Sequence, residues 1–126
     1  MKIEIMKERF CVCKIADLSE VDFSGELVFV AKTDEELSLV CERGRVPQNV
    51  TALEDGWKAF RVEGVLDFGM VGVIAKIAEI FARERISIFV VSTYNTDYVL
   101  LKEPDFERGI RLLQKSGYEI CNDEML

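Results

Sequence analysis

The 126-residue chain has no histidine, only two prolines, a single tryptophan and no excess of basic charge. Each scarcity excludes something. Without histidine, general acid–base catalysis loses its commonest group and a metal site its commonest nitrogen ligand. No nucleophile elbow, Walker loop or dinucleotide fingerprint is present either. Lys plus Arg is 16 against 23 for Asp plus Glu, a net charge of −7, so the chain repels phosphate backbones and nucleic acid is not an expected partner. The longest apolar runs, around 71–75 and 86–91, fall far short of the roughly 20 residues that cross a bilayer. Met1-Lys2-Ile3-Glu4-Ile5 is too short and too charged for a signal peptide. A cytoplasmic protein, with no membrane partner, is the expectation. The four cysteines, Cys11, Cys13, Cys41 and Cys121, sit inside apolar runs, not at framework spacings, and read as reduced core residues. Cys11-Val12-Cys13 puts two thiols on one strand face, but with no second close pair no metal and no cofactor is expected.

What is present is a globular composition, 49% hydrophobic with 31% charged residues mixed in. The length suits one domain or two very small ones sharing a core. The most informative stretch is Gly64-Val65-Leu66-Asp67-Phe68-Gly69-Met70-Val71-Gly72-Val73-Ile74-Ala75, which reads as a strand passing into a helix. Asp67 suits an N-cap. Gly69 and Gly72 leave backbone amides open to a small anion. Met70, Val73, Ile74, Ile77, Ile80 and Phe81 recur at helical spacing. The same features fit an ordinary capped helix packed on a sheet.

Along the chain, Ile3–Met6 and Phe10–Ala16 read as strands around the turn Lys7-Glu8-Arg9. Residues 17–25 are turn-like. Glu26–Ala31 and Leu37–Cys41 form a hairpin, and Arg43–Gly56 reads as a loop with a short helix near Pro47. Trp57–Glu63 is a strand, Gly69–Arg85 a helix, and Ile86–Ser92 an apolar strand expected in the middle of a sheet. Tyr94–Asp97 turns the chain into the strand Tyr98–Lys102. A helix then opens near Pro104, buries Phe106, Ile110 and Leu113, and ends at Gly117 before a last strand, Tyr118–Cys121. The order βαββαβ predicts an α+β, ferredoxin-like fold with two helices on one face of a four-stranded antiparallel sheet.

An internal echo accompanies this pattern. Val28–Thr33 aligns with Ile88–Thr93 at an offset of 60 (88 − 28), and the same offset carries Leu39-Val40-Cys41 onto Val99-Leu100-Leu101. The first copy has no space for the long helix. The chain therefore reads as a degenerate half-module, residues 1–56, in tandem with a complete one, residues 57–126.

Asp67 with Gly72-Val73-Ile74-Ala75-Lys76-Ile77-Ala78, followed by Arg85-Ile86-Ser87-Ile88, resembles the signature of ACT domains, small βαββαβ modules that bind amino acids. Val91-Ser92-Thr93-Tyr94-Asn95-Thr96-Asp97-Tyr98 is similar to the tandem ACT subfamily related to aspartate kinase regulatory regions and to the cytosolic arginine sensors of animals. The resemblance implies a non-catalytic regulatory module that binds a free amino acid. Its ligand residues would be Asp67, Phe68, Gly69, Met70, Val71 and Gly72 on one segment and Ser92, Thr93, Tyr94, Asn95 and Asp97 on the other. The ligand carboxylate would suit the amides of Phe68–Val71 at the positive helix end, and its ammonium or a basic side chain would suit Asp97. Phe68 and Tyr94 would wall its aliphatic part. Each assignment has a plainer alternative: Asp67 as helix cap, Asp97 as hairpin cap, Tyr94 as a turn or dimer aromatic, and Trp57 as core or interface.

A module of this kind would act through a protein partner or its own oligomer. An edge strand in so small a sheet favours a homodimer. The competing expectation is a ligand-free structural module that mediates oligomerisation.

Overall fold

The polar triplet Lys7-Glu8-Arg9 does not break the first strand. It contains no glycine or proline, and its flanks are β-prone, so β1 runs unbroken through Lys2–Ile15. The computed structural model describes residues 1–63 and 71–121. It contains β2 (Phe29–Lys32), β3 (Leu37–Glu42), a single 3-10 turn at Arg43–Arg45, and β4 (Val50–Val62). These are followed by α1 (Val73–Arg83), β5 (Phe89–Ser92), β6 (Asp97–Lys102), α2 (Glu103–Lys115) and β7 (Glu119–Cys121). The chain divides into two compact units. Glu8–Trp57 forms the N-terminal unit, while Met1–Lys7 joins the chain from Lys58 onward in the C-terminal unit.

In the C-terminal unit the strand order is β7-β1-β4-β6-β5. The start of β1 is thus interleaved between the first and last strands of the expected four-stranded sheet. There β7 pairs parallel to β1, with Lys2 opposite Glu119 and Glu4 opposite Cys121. The amide of Glu63 donates to the carbonyl of Lys2 at 2.9 Å, holding the end of β4 beside the start of β1. The reason for the insertion is apolar: Ile3 and Ile5 join Phe60, Val62, Val99 and Leu101 in a core closed by Ile77, Phe81, Phe106, Ile110 and Leu113. Both helices bury one stripe at i, i+3, i+4 spacing, as amphipathic helices on a sheet must. Gly109 lets α2 lie close to β6, because a Cβ there would come within 2.6 Å of Leu101 Cδ1.

Two expectations here need correction. The first helix begins at Val73, not Gly69, with Gly72 as its N-cap in the left-handed region (φ 79°) and no side-chain cap. It ends at Arg83, and Arg85 (φ 58°) takes the left-handed turn after it. The strand expected over Ile86–Ser92 and in mid-sheet is shorter and lies at the edge, pairing only β6 among the described residues. Its stretch is apolar on both sides because Ile86 and Ile88 pack against the helix-covered core, while Val91, opposite Tyr98, is buried on the other face.

In the N-terminal unit the order is β2-β3-β1-β4, with β1–β3 and β2–β3 antiparallel. The segment expected as a loop up to Gly56 is strand from Val50 onward. The Asp55-Gly56 turn signal is absorbed inside β4, where Gly56 takes φ 85° and Asp55 Oδ1 accepts the Gly56 amide. Cys11, Cys13, Ile15, Leu39 and Cys41 form the core, with Val21, Val28, Val46 and Val50 packed over it. The cysteines are free thiols. Burial pushes Cys11 and Cys41 up to about 12, so these are un-ionised packing groups and not nucleophiles.

The two hairpins have the same register. Phe29 faces Val40 and Lys32 faces Leu37 in one; Phe89 faces Leu100 and Ser92 faces Asp97 in the other, each position 60 residues on. The turns match as well, with the amide of Thr33 donating to Glu36 O and that of Thr93 to Thr96 O, both at 2.9 Å.

Candidate functional site

Topology brings the termini of several elements to one end of the C-terminal sheet. Strand β4 ends there, β1 begins there, and α2, having followed β6 away and returned, ends there. Thr96, buried in the β5–β6 turn, donates its hydroxyl to Val62 O at 2.8 Å and so anchors the hairpin to the end of β4. Glu119 N donates to Met1 O at 3.1 Å, fixing the start of β7 at the same end.

An open cleft of about 390 Å³ lies here, lined by Met1, Val71, Gly72, Val73, Lys76, Ser116, Gly117 and Tyr118. Its chemistry is polarised. The first turn of α1 presents backbone N–H groups that have no partner within the helix, with Lys76 on the following turn. Opposite stands the C-terminal end of α2, where carbonyls carry the negative end of the helix dipole. Tyr118 adds a phenol whose ionisation is pushed up by burial. The α1 end thus suits an anion, while at the α2 end the carbonyls of Leu112, Leu113 and Gln114 already accept from the amides of Ser116, Gly117 and Tyr118.

Of the expected site residues, Val71 and Gly72 line this cleft, Val71 being 89% exposed. Ser92, Thr93 and Asp97 lie together in the hairpin and outside the cleft lining: Ser92 Oγ donates to Asp97 Oδ1 at 2.6 Å, and Thr93 Oγ1 donates to Thr96 O at 3.0 Å. Asp97 is therefore held by a hydroxyl across the strand pair. Tyr94, at the hairpin tip, is 80% exposed, and Asn95 beside it is exposed too. Asp67, Phe68, Gly69 and Met70 lie outside the described residues. The expectation of Asp67 as the cap of α1 fails on position, because the helix starts six residues later. Sequence reasoning missed Met1, Lys76, Ser116 and Tyr118. The usable signal was Gly117: a helix-ending glycine in a βαββαβ order returns α2 to the end where α1 begins.

A second concavity, of about 500 Å³, belongs to the N-terminal unit and is lined by Glu8, Arg9, Asp22, Glu42, Arg43, Gly44 and Arg45. It is an ion-pair network more than a pocket. Arg45 bonds Asp22 and Glu42, and Arg43 bonds Asp55, which also accepts from Cys11. Among the described residues no group of three or more carboxylates or thiols could hold a metal ion, and no helix is long and apolar enough to cross a membrane.

Two helices on one face of a mostly antiparallel sheet, with a cleft at the first helix's N-terminus, define a ferredoxin-like α+β module. The ACT domain family matches residues 52–115, and the chain belongs to it. The chain is similar to protein Atu0741 from Agobacterium tumefaciens, at 30% identity and a TM-score of 0.84, covering 95% of this chain and 91% of that one. It shares its fold with the aspartokinase alpha and beta subunits (19% identity, TM-score 0.65, covering 92% and 97%). The ligand-free regulatory subunit of aspartate kinase from Thermus thermophilus has the same fold (9% identity, TM-score 0.67, covering 93% and 97%). No curated protein matches the chain.

Proposed function

We propose that this chain is a non-catalytic sensor that binds a free amino acid and signals through a homodimer or a protein partner. The observation that carries the reading is the cleft at the start of α1 in an ACT domain, with the first-turn amides and Lys76 at one side and the C-terminal end of α2 at the other. In this reading the ligand carboxylate sits on the first turn of α1. The segment Asp67–Gly72 and the hairpin residues Ser92, Thr93, Tyr94, Asn95 and Asp97, at the same end of the sheet but outside the cleft lining, are the further residues assigned to the ligand. The tandem arrangement is part of the proposal. Residues 57–126 would be the complete ACT domain and residues 1–56 its degenerate copy, with Met1–Lys7 contributed to the complete one. The shared hairpin register and the order β2-β3-β1-β4, which is the ferredoxin-like order without its helices, support that reading.

The test is thermal unfolding against each free amino acid at millimolar concentration. A ligand present at about a hundred times its dissociation constant adds roughly 2.7 kcal/mol. That is on the order of ten degrees for a domain of this size. One amino acid is expected to give such a shift, reduced in Asp97→Ala and in Lys76→Ala. No shift with any of them would leave the second reading, a ligand-free oligomerisation module.

A further inference from the structure

Negative charge is not spread evenly along the chain. The N-terminal unit, Glu8–Trp57, holds 5 basic against 11 acidic residues, a net charge of −6 out of the chain's −7. Four of those acids, Asp17, Glu20, Asp22 and Glu26, stand in the loop that joins β1 to β2, and that loop has no basic residue. The same loop turns two large apolar side chains into solvent: Leu18 is 49% and Phe23 64% exposed. Slackness does not explain their exposure, because the loop is fastened along its length. The amide of Ala16 donates to Asn49 O at 3.2 Å, and Asn49 Nδ2 donates to Asp17 O at 3.2 Å. Arg45 donates to Asp22 at 2.7 Å, and the amide of Glu26 donates to the Glu42 carboxylate at 3.0 Å. Nor is there a lack of core to join. Val21, between the two in sequence, packs on the cysteine core, and Leu27 is buried. The loop thus sends Val21 and Leu27 inward and holds Leu18 and Phe23 out.

We infer that this loop is a docking surface and that its occupant is a segment of another protein carrying lysine or arginine beside large apolar side chains. Phe23 and Leu18 are its apolar contacts. Aromatic side chains are enriched at interfaces, and a loop already pinned loses little freedom on binding. The acidic residues select the partner. Arg45 balances Asp22, whereas Asp17 is bonded by the neutral Ser19 and Asn49, and Glu20 and Glu26 are exposed, so the loop keeps a surplus of negative charge. That surplus disfavours nucleic acid, an anionic lipid surface and a second copy of the same loop. It steers a basic segment toward the loop and fixes its register once Phe23 is covered. This inference goes beyond the sensor reading: it concerns the N-terminal unit alone and holds whether or not an amino acid binds.

The experiment selects peptides from a random library against the whole chain and measures the enriched ones, as synthetic peptides, by fluorescence anisotropy. The expected peptides combine lysines or arginines with at least one large apolar residue, and their binding weakens as salt is raised. Phe23→Ser should weaken that binding by about tenfold or more, and Leu18→Ser and Glu20→Lys by several-fold each. All three positions are exposed, so each variant should keep the parent's far-ultraviolet spectrum and urea midpoint. Glu107→Lys, the same charge reversal at an exposed position of α2 in the C-terminal unit, is the control and should leave the affinity within about twofold. No enriched peptide, enriched peptides without basic residues, or binding that Phe23→Ser leaves intact would overturn the inference. So would equal losses in Glu107→Lys and Glu20→Lys, because bulk charge would then be at work. Self-association of the chain that Phe23→Ser abolishes would overturn it too, since the occupant would be another copy. The amino-acid-induced thermal shift is read on the chain without peptide, so the sensor reading stands or falls on its own test.

Discussion

The same hairpin is buried in two different ways in the two units. In the C-terminal unit Val99 and Leu101 lie under α1 and α2, beneath Phe81, Phe106, Ile110 and Leu113. Their counterparts, Leu39 and Cys41, lie in a core with Cys11, Cys13 and Ile15, covered by Val21, Val28 and Val46 from irregular chain and by Val50 at the start of β4. A helix can bring large side chains down onto a sheet because its backbone satisfies itself. A loop must find partners for its backbone elsewhere, and here it finds them in side chains. Asn49 Nδ2 donates to the carbonyl and carboxylate of Asp17, and Glu42 accepts the Glu26 amide at 3.0 Å. Arg45 donates to Asp22 at 2.7 Å. The helical layer is held by apolar volume, while the loop layer is thin, filled by small thiols and pinned by charge.

That contrast predicts unequal costs of truncation. Phe81, fully buried and 6.2 Å from Phe60 between ring centroids, should cost about 3–5 kcal/mol on replacement by Ala. Cys41→Ala removes one sulfur from the thinner layer and should cost about 1 kcal/mol. Urea unfolding of both variants measures the gap, and equal losses would break the comparison. Next in size is Gly25→Ala, at roughly 1–3 kcal/mol, since Gly25 sits at φ 104° and a Cβ there would meet the Glu42 carboxylate at 2.5 Å. Gly44→Ala, in open space at an ordinary φ, should leave stability within about 0.5 kcal/mol. A smaller effect separates the two turns. Thr96→Val loses the buried bond to Val62 O and should cost about 1 kcal/mol, whereas replacing its exposed counterpart Glu36 should cost almost nothing.

The same contrast explains what could be read from the chain beforehand. The helical unit was legible because helices announce themselves: Ile77, Ile80 and Phe81, then Phe106, Ile110 and Leu113, repeat at one period, and Pro104 and Gly117 mark the ends of α2. The hairpins were legible because one could be laid on the other. Strand pairing over distance was not. Nothing local to Lys2–Met6 says that it will lie between β4 and β7, because parallel partners 117 residues apart (Lys2 and Glu119) leave no periodic trace. The start of α1 was misplaced because Asp67 is a good cap by type, while the cap actually used, Gly72, acts through its backbone conformation. The cleft residues Lys76, Ser116 and Tyr118 come from two helices' ends and become neighbours only through topology.

A last contrast is in pH dependence, which the loop-covered unit carries at both ends of the scale. Asp22 is held down to about 2, first by the Ser24 hydroxyl and amide and then by Arg45. A carboxylate depressed in the folded state contributes stability above its ordinary value, near 3.8, and loses it as pH falls toward about 2. Buried Cys11 and Cys41 act in the opposite sense at the other end. Raised from 9.0 to about 12, they stabilise the folded chain fully below pH 9 and lose that contribution as pH rises toward 12. Stability measured by urea across pH should therefore fall in both windows. Asp22→Asn should sit below the parent at neutral pH and converge with it near pH 2, because only the parent has a carboxylate to protonate. Replacing Cys11 and Cys41 together by Ala should make the alkaline limb shallower, with Cys13, Tyr118 and Cys121 still contributing, and leave the acid limb unchanged. If Asp22→Asn kept a constant offset down to pH 2, the loop would be held by shape instead of charge, and the distinction between the two covering layers would rest on packing alone.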